Sequence, residues 1–218
     1  MKTTKATATI TLMIAVALAM AACTPTAPTD PTTSPTSSPT ATPTPTPTPG
    51  AVATPSPAPV PTNQQEAITS AATTIESYLV ASFDRDANPE LGESYVGSFL
   101  VQGSQAAKLN ADTVKNNLEK GWLKVGTPST WTTNDAMSYA SPSTNAATGE
   151  TLDFGTAVVY GCSDNSTWDI TVPAGQEAPA IPKGAFPAQW TLIFEQNAQV
   201  WLIQEQVDLT GREGAPTC

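Results

Sequence analysis

The chain has 218 residues and a formal net charge of −10, with 21 prolines, three cysteines and no histidine. Without histidine there is no Ser-His-Asp or Cys-His nucleophile arrangement and no His-based zinc site. The acidic balance, with no run of cations, argues against nucleic acid as a partner, because phosphate binding needs clustered lysines and arginines.

Lys2 and Lys5 precede an apolar run from Ile10 to Ala22, followed by Cys23. A short basic region, about a dozen apolar residues and small residues at a cleavage point read as an export signal. As a helix that run reaches only about 20 Å, against a hydrocarbon core of roughly 30 Å, so a spanning helix is the weaker reading. Met20-Ala21-Ala22-Cys23 resembles the lipobox of bacterial lipoproteins, with Met20 where Leu is usual. The resemblance implies a signal peptide over residues 1–22, cut before Cys23, whose thiol carries a diacylglycerol. Acyl chains such as palmitate on Cys23 would hold the protein at the outer face of the cytoplasmic membrane, since stable attachment takes more than one chain. The alternative is an ordinary secretory signal with a cysteine there by chance.

Residues 24–62 contain 13 prolines, with Thr, Ser and Ala filling nearly all the rest. Such a segment has little to bury and reads as a disordered linker over residues 23–62. Alternate prolines favour polyproline II, so this tether reaches about 120 Å when extended. Its hydroxyls also permit sugars, and a ligand role for the Pro-rich motifs is the alternative to a spacer.

Residues 63–218 are one domain's worth of chain. Ile68, Ala71, Ala72, Ile75 and Leu79 share one helical face, continued by Phe83, and Asn63 to Glu66 has the spacing of a capping box. That helix is expected to end near Asp84, before Pro89. A second is expected from Pro89 to Leu100, and a third over Ala111–Lys120, capped by Asn110 and stopped by Gly121. The second half changes period. Ala188, Trp190, Leu192 and Phe194 alternate with polar or outward positions, Gln196 to Gln199 make a turn, and Trp201, Ile203, Glu205 and Val207 are expected on one face of the next strand. Thr151–Gly161 is a further strand, with Trp168–Val172 expected as its hairpin partner across Ser163 to Ser166. Thr130–Ala140 is a weaker strand candidate, and Ala174–Pro187 reads as a loop.

Helices followed by an antiparallel meander give an α+β fold, with N-terminal helices on a curved sheet. This order resembles the nuclear-transport-factor-2-like cone. More narrowly, Val158-Val159-Tyr160-Gly161-Cys162-Ser163-Asp164, Gln199-Val200-Trp201 and terminal Cys218 resemble a group of actinobacterial surface lipoproteins with that domain. The resemblance covers about Gln65 to Cys218 and brings a fold rather than a mechanism.

With Cys23 assigned to lipid, Cys162 and Cys218 form an even pair in an oxidising compartment. A bridge would close a loop of about 57 residues, worth roughly 4 kcal/mol in the chain-entropy model. A reactive Cys162 would need a nearby cation, and its sequence neighbours are Asp164 and Asp169. Asn165-Ser166-Thr167 matches a glycosylation acceptor, which reads as turn chemistry after a bacterial lipobox. Asp84, Asp86, Glu90 and Glu93 form the densest acidic cluster; it lacks a calcium-loop signature and reads as solvated, so no metal and no cofactor are expected.

Cone enzymes such as ketosteroid isomerase and scytalone dehydratase work inside the cavity with Asp, Tyr and often His. Tyr95, Tyr139, Tyr160 and Asp153 are the candidates here, and no spacing forces them together. The expected function is therefore a lipid-anchored surface protein whose domain binds or supports an envelope or extracellular partner without catalysis. The alternative is an enzyme or small-molecule carrier that uses the cone interior. An importer's binding component shares the anchor, but normally needs two lobes.

Overall fold

The 24-residue first helix, α1 (Gln64–Ala87), begins where Asn63 turns its side chain back to accept from the Glu66 amide at 2.9 Å. The Glu66 carboxylate reaches Thr62 rather than Asn63, accepting from its N–H at 2.9 Å and its hydroxyl at 2.7 Å. The cap is thus reciprocal but one residue longer than the expected box. This is a computed structural model that describes residues 52–145 and 148–218. The expected signal peptide, Cys23 and the expected linker up to residue 51 lie outside the described residues.

The buried face of α1 runs through Ala71, Ile75, Tyr78, Ser82 and Arg85, alternating steps of four and three. Leu79 and Phe83, expected on that face, are only half-buried. The expected second helix is instead two 3-10 segments, Pro89–Leu91 and Glu93–Phe99, broken at Gly92. They still bury Leu91, Tyr95, Val96 and Phe99. The next helix, α2 (Gln105–Lys120), starts six residues earlier than expected, capped by Ser104 accepting from the Ala107 amide at 3.2 Å. Asn110 is therefore no cap; it is buried inside the helix. Gly121 ends α2 in the left-handed region, at φ 63°, as a C-terminal glycine does.

Among the described residues seven strands follow: β1 (Leu123–Gly126), β2 (Thr130–Thr133), β3 (Tyr139–Thr144), β4 (Thr151–Asp164), β5 (Trp168–Thr171), β6 (Ala185–Glu195) and β7 (Val200–Asp208). All pairings between them are antiparallel. The main sheet has the order β2-β4-β6-β7, with β3 on the same side of β4 as β2 but nearer its start. The expected β4–β5 hairpin does not form. β4 runs on to Asp164, the chain turns at Asn165, and β5 pairs with β1, a strand absent from the sequence reading. The α+β class holds, with helices packed on antiparallel sheets.

The inner face of the sheet is a ladder of facing pairs: Ala157 with Leu192, Val159 with Trp190, Gly161 with Ala188, and Ser163 with Phe186. Trp190 sits at its centre, 1 % exposed, with Tyr78 and Trp131 edge-on to it at 5.8 and 6.3 Å. Trp201 packs against Phe194 at 5.3 Å and satisfies its indole N–H on the Ser70 hydroxyl at 2.8 Å. These aromatic pairs join α1 to the sheet and supply much of the apolar burial.

Across β6 and β7 the register slips between Thr191 and Leu192. Leu192 faces Ile203, yet Thr191 faces Glu205, leaving Gln204 as the extra residue of a bulge. Beyond it the faces exchange. Gln206 stands opposite Trp190 and Asp208 opposite Ala188. The expected Trp201-Ile203-Glu205-Val207 face is therefore overturned after Ile203. As the outer strand of the sheet, β7 is covered rather than bare. Val101 N–H donates to the Ile203 carbonyl at 2.9 Å, and the Gln105 amide makes two bonds to the Gln206 backbone, at 3.1 and 3.2 Å.

Residues 52–62, expected to belong to the free linker, lie against the domain. Ala53 N–H donates to the Tyr95 carbonyl at 2.8 Å, and Ala58 N–H to that of Gln199 at 2.7 Å. Pro55 and Pro61 are buried and Ala58 is half-buried between them. That spacing of three is the turn of a polyproline II helix, so one edge of the Pro-rich segment docks and the other two face water. The far end of the chain is tied as well. Cys162 and Cys218 are bonded, with Cα atoms 5.7 Å apart, and Leu209 N–H donates to the Pro187 carbonyl at 2.9 Å.

Candidate functional site

A cavity of about 430 Å³ opens between α1, α2, β1, the inner face of the sheet and the loop before β6. The sheet leaves this space because the Gly161–Ala188 tier carries almost no side chain. On the Gly161 side Trp131 fills the gap: a Cβ there would lie 2.5 Å from the indole and against the Thr132 carbonyl. On the Ala188 side nothing comparable intrudes, and the cavity begins. Trp190, Phe186, Ile181, Pro182, Leu79 and Leu109 give it apolar walls.

Its polar end is built on consecutive residues of α1. Arg85 and Asp86 are 3 % and 5 % exposed. Arg85 donates from Nε at 2.8 Å and Nη2 at 2.6 Å to Asp86 Oδ1, and from Nη1 to Asn110 Oδ1. Lys124 Nζ reaches Asp86 Oδ2 at 3.0 Å from β1. Asn117 adds a longer contact to Oδ1 at 3.4 Å. Asn110 is in turn fixed by donating to the Glu93 carbonyl at 3.1 Å. Charges this deep persist only when paired and hydrogen-bonded, which is what this network does.

Lys124 is held from a second side, its ammonium 4.3 Å from the centre of the Trp168 ring. Trp168 is oriented by its own N–H on the Ser129 hydroxyl at 2.8 Å, and Lys183 donates to its carbonyl. Tyr78 borders the same space. Burial pushes its phenol pKa up, partly offset by the Arg85 charge and hydrogen bond beside it. At the rim, exposed Asp208 is held below the usual carboxylate range by the Thr210 hydroxyl and amide.

The residues singled out from sequence for catalysis do not meet here. Tyr95 is buried in the core under α1, where burial and then the Asp84 charge raise its pKa. Tyr139 is 46 % exposed on β3, Tyr160 is half-buried on β4, and Asp153 is exposed. None lines the cavity. The expected acidic cluster also divides: Asp86 turns inward onto two cations, while Glu90 and Glu93 face water. Asp84 is half-buried and desolvation raises its pKa. Asn165 accepts from the Ser129 hydroxyl at 2.8 Å, and Asp164 accepts from the Ser166 amide at 2.8 Å, as turn residues do. Cys162 is locked in its bond to Cys218, so it presents no thiol.

The residues missed from sequence are Arg85, Asn110, Lys124, Gln206 and Asp208, together with the inward role of Asp86. Arg85 did leave a signal: it falls seven residues after Tyr78, on the continuing buried stripe of α1. Lys124 left none, because its strand is short and polar.

No protein-family model matches the chain, and no curated protein does. Among solved structures, the intermembrane space region of the chloroplast protein ARC6 is similar over 65 % of this chain and 95 % of that one, at 12 % identity and a TM-score of 0.42. Among the described residues no helix is long and apolar enough to cross a membrane.

Proposed function

We propose that this chain is an exported, lipid-anchored surface protein whose domain holds a small molecule in the cavity beside Asp86, without catalysis. The observation that carries the binding reading is the cavity itself: about 430 Å³, apolar-walled, with a few convergent polar groups at one end. That is the volume and lining of a small-molecule site. The non-catalytic part rests on Asp86. Both of its oxygens are taken by protein cations, so the deeply buried carboxyl of the wall is not offered to a substrate as acid or base.

Export and the anchor rest on the basic-apolar start and on Met20-Ala21-Ala22-Cys23. A bonded Cys162–Cys218 pair suits the oxidising side of a membrane. The nuclear-transport-factor-2-like cone of the actinobacterial surface lipoproteins is supported by helices packed on an antiparallel sheet with a cavity beside them. An envelope protein as partner fits the same anchor and spacer, but a concave cavity of about 430 Å³ favours a small molecule as what is bound.

Two measurements test this reading. The neutral fluorophore N-phenyl-1-naphthylamine should brighten on adding the full chain, and Ala188→Phe, which fills the cavity, should weaken it by about tenfold. Equal brightening by the filled variant removes the cavity as the site. Cys23→Ser should move the protein from the membrane fraction to the soluble one, and unchanged retention would remove the lipid anchor.

A further inference from the structure

We infer that the occupant of this cavity is a small monoanionic amphipath whose carboxylate is received by Lys124; this rests on the cavity being a binding site, as proposed above.

Arg85, Asp86 and Lys124 place two cations on one carboxylate, leaving one positive charge in excess at the polar end. The carboxyl end of α1 lies at Arg85 and contributes a partial negative charge there. The group left short of counter-charge is therefore Lys124. Its ammonium has one strong partner, Asp86 Oδ2, and one aromatic face, Trp168, so N–H donors remain for a ligand. The other polar groups of the lining are neutral hydroxyls, amides and indole N–H groups, among them the buried and unpartnered Trp190 Nε1, apart from Asp208 on the exposed rim.

This positive end occurs in a protein of net charge −10. Through a low-dielectric cavity, that local sign acts on a ligand group far more strongly than the screened surface charge does. An ammonium ligand would meet Lys124 and Arg85 head-on. A carboxylate would complete the alternation of charge around Asp86 and Lys124, with Asn110 and Thr113 as further neutral partners. The apolar remainder of such a ligand fits against Trp190, Phe186 and Ile181, where its removal from water adds to the affinity. The volume suits a molecule of modest size, an acid with a short chain or one or two rings rather than a whole lipid.

The test is calorimetric titration of the full chain carrying Cys23→Ser with octanoate, 1-octanol and octylamine, which share an apolar body and differ in head-group charge. Octanoate should bind about tenfold more tightly than 1-octanol, and octylamine more weakly than either. Lys124→Met should abolish the preference, so that octanoate and 1-octanol bind that variant alike, and Lys124→Arg should keep it. Equal binding of all three by the unsubstituted cavity overturns the anionic ligand while leaving the cavity reading standing, as does tighter binding of octylamine. A preference for octanoate that survives Lys124→Met overturns the assignment to Lys124. Binding of none of the three removes both this inference and the cavity reading beneath it. The comparison among ligands needs no variant to fold.

Discussion

Lys124 and Asp86 lie 3.0 Å apart, joining β1 to the last turn of α1 at the polar end of the cavity. They are 38 positions apart in the chain, so this contact is one that the small β1–β5 ribbon exists to position. Asp86 is the hub: Asp86→Asn keeps the side-chain shape but leaves Arg85 and Lys124 together without a counter-charge. Removing one partner of a buried pair costs about 3–5 kcal/mol. Urea unfolding should show that loss. Replacing all three groups together, as Arg85→Met, Asp86→Leu and Lys124→Met, should recover most of it, because no buried charge is left unpaired. A single Asp86→Asn loss under about 1 kcal/mol would mean that water already reaches the network.

Gly161 and Trp131 make the second structural commitment. Gly161→Ala would place a methyl 2.5 Å from the indole and against the Thr132 carbonyl. The nearer clash is with that carbonyl, so the β2–β4 pairing must spread as well as Trp131 move. Overpacking of this kind costs about 1–3 kcal/mol. Trp131 is edge-on to Trp190, so near-ultraviolet circular dichroism should change with the stability. An unchanged spectrum and unchanged unfolding midpoint would show that the sheet accommodates the methyl.

The strand pair Ala188 to Asp208 illustrates how far the sequence could be read. Both strands and the turn between them were legible from alternation, and so was the inward row Ala188, Trp190, Leu192 and Phe194. The bulge at Gln204 was not, because Trp201, Ile203, Glu205, Val207 is as regular an alternation as the one that forms. A single extra residue exchanges the faces, and it turns two polar side chains toward the cavity. The docked segment at residues 52–62 hid for a related reason. Prolines at every second position suggest a spacer, while the contact is made at every third. Stability of the α1 stripe was legible in Ile68 through Ile75, but small drift in phase shifted it from Leu79 to Tyr78 and concealed Arg85. Pairing of β5 with β1 is a long-range choice that local pattern does not encode.

Glu195 gives a pH signature. In the β6–β7 turn its carboxylate accepts from the Ala198 amide at 2.6 Å and the Asn197 amide group at 3.0 Å, and the first of these lowers its pKa most. A carboxyl held lower in the fold than in the unfolded chain contributes stability above its unfolded value, 4.5, and loses it as pH falls through the folded one. Asp164 behaves alike through the Ser166 amide. Stability should thus decline below about pH 4.5, and Glu195→Gln should make that decline shallower. Carbon-13 shifts of the Glu195 side chain should titrate below those of a free glutamate. A midpoint at or above the free value would show that the turn bond is not kept in solution.

The bond between Cys162 and Cys218 spans 56 positions and fastens the last residue to β4. Adjoining it, Leu209 and Pro216 are buried, and Leu209 N–H holds the Pro187 carbonyl. Cys162 alternates with Gly161 and Ser163, so it points to the sheet face away from the cavity. Reduction should therefore loosen the tail without opening the binding site. Unfolding in urea with and without reductant should differ by roughly 2–4 kcal/mol. Hydrogen exchange should show faster exchange of the Leu209 amide after reduction, while amides of Val159 and Trp190 keep their protection. Loss of protection in both places at once would mean that the bridge supports the inner ladder and not the tail alone. A denatured chain that shows free thiols at Cys162 and Cys218 before reduction would remove the bridge altogether.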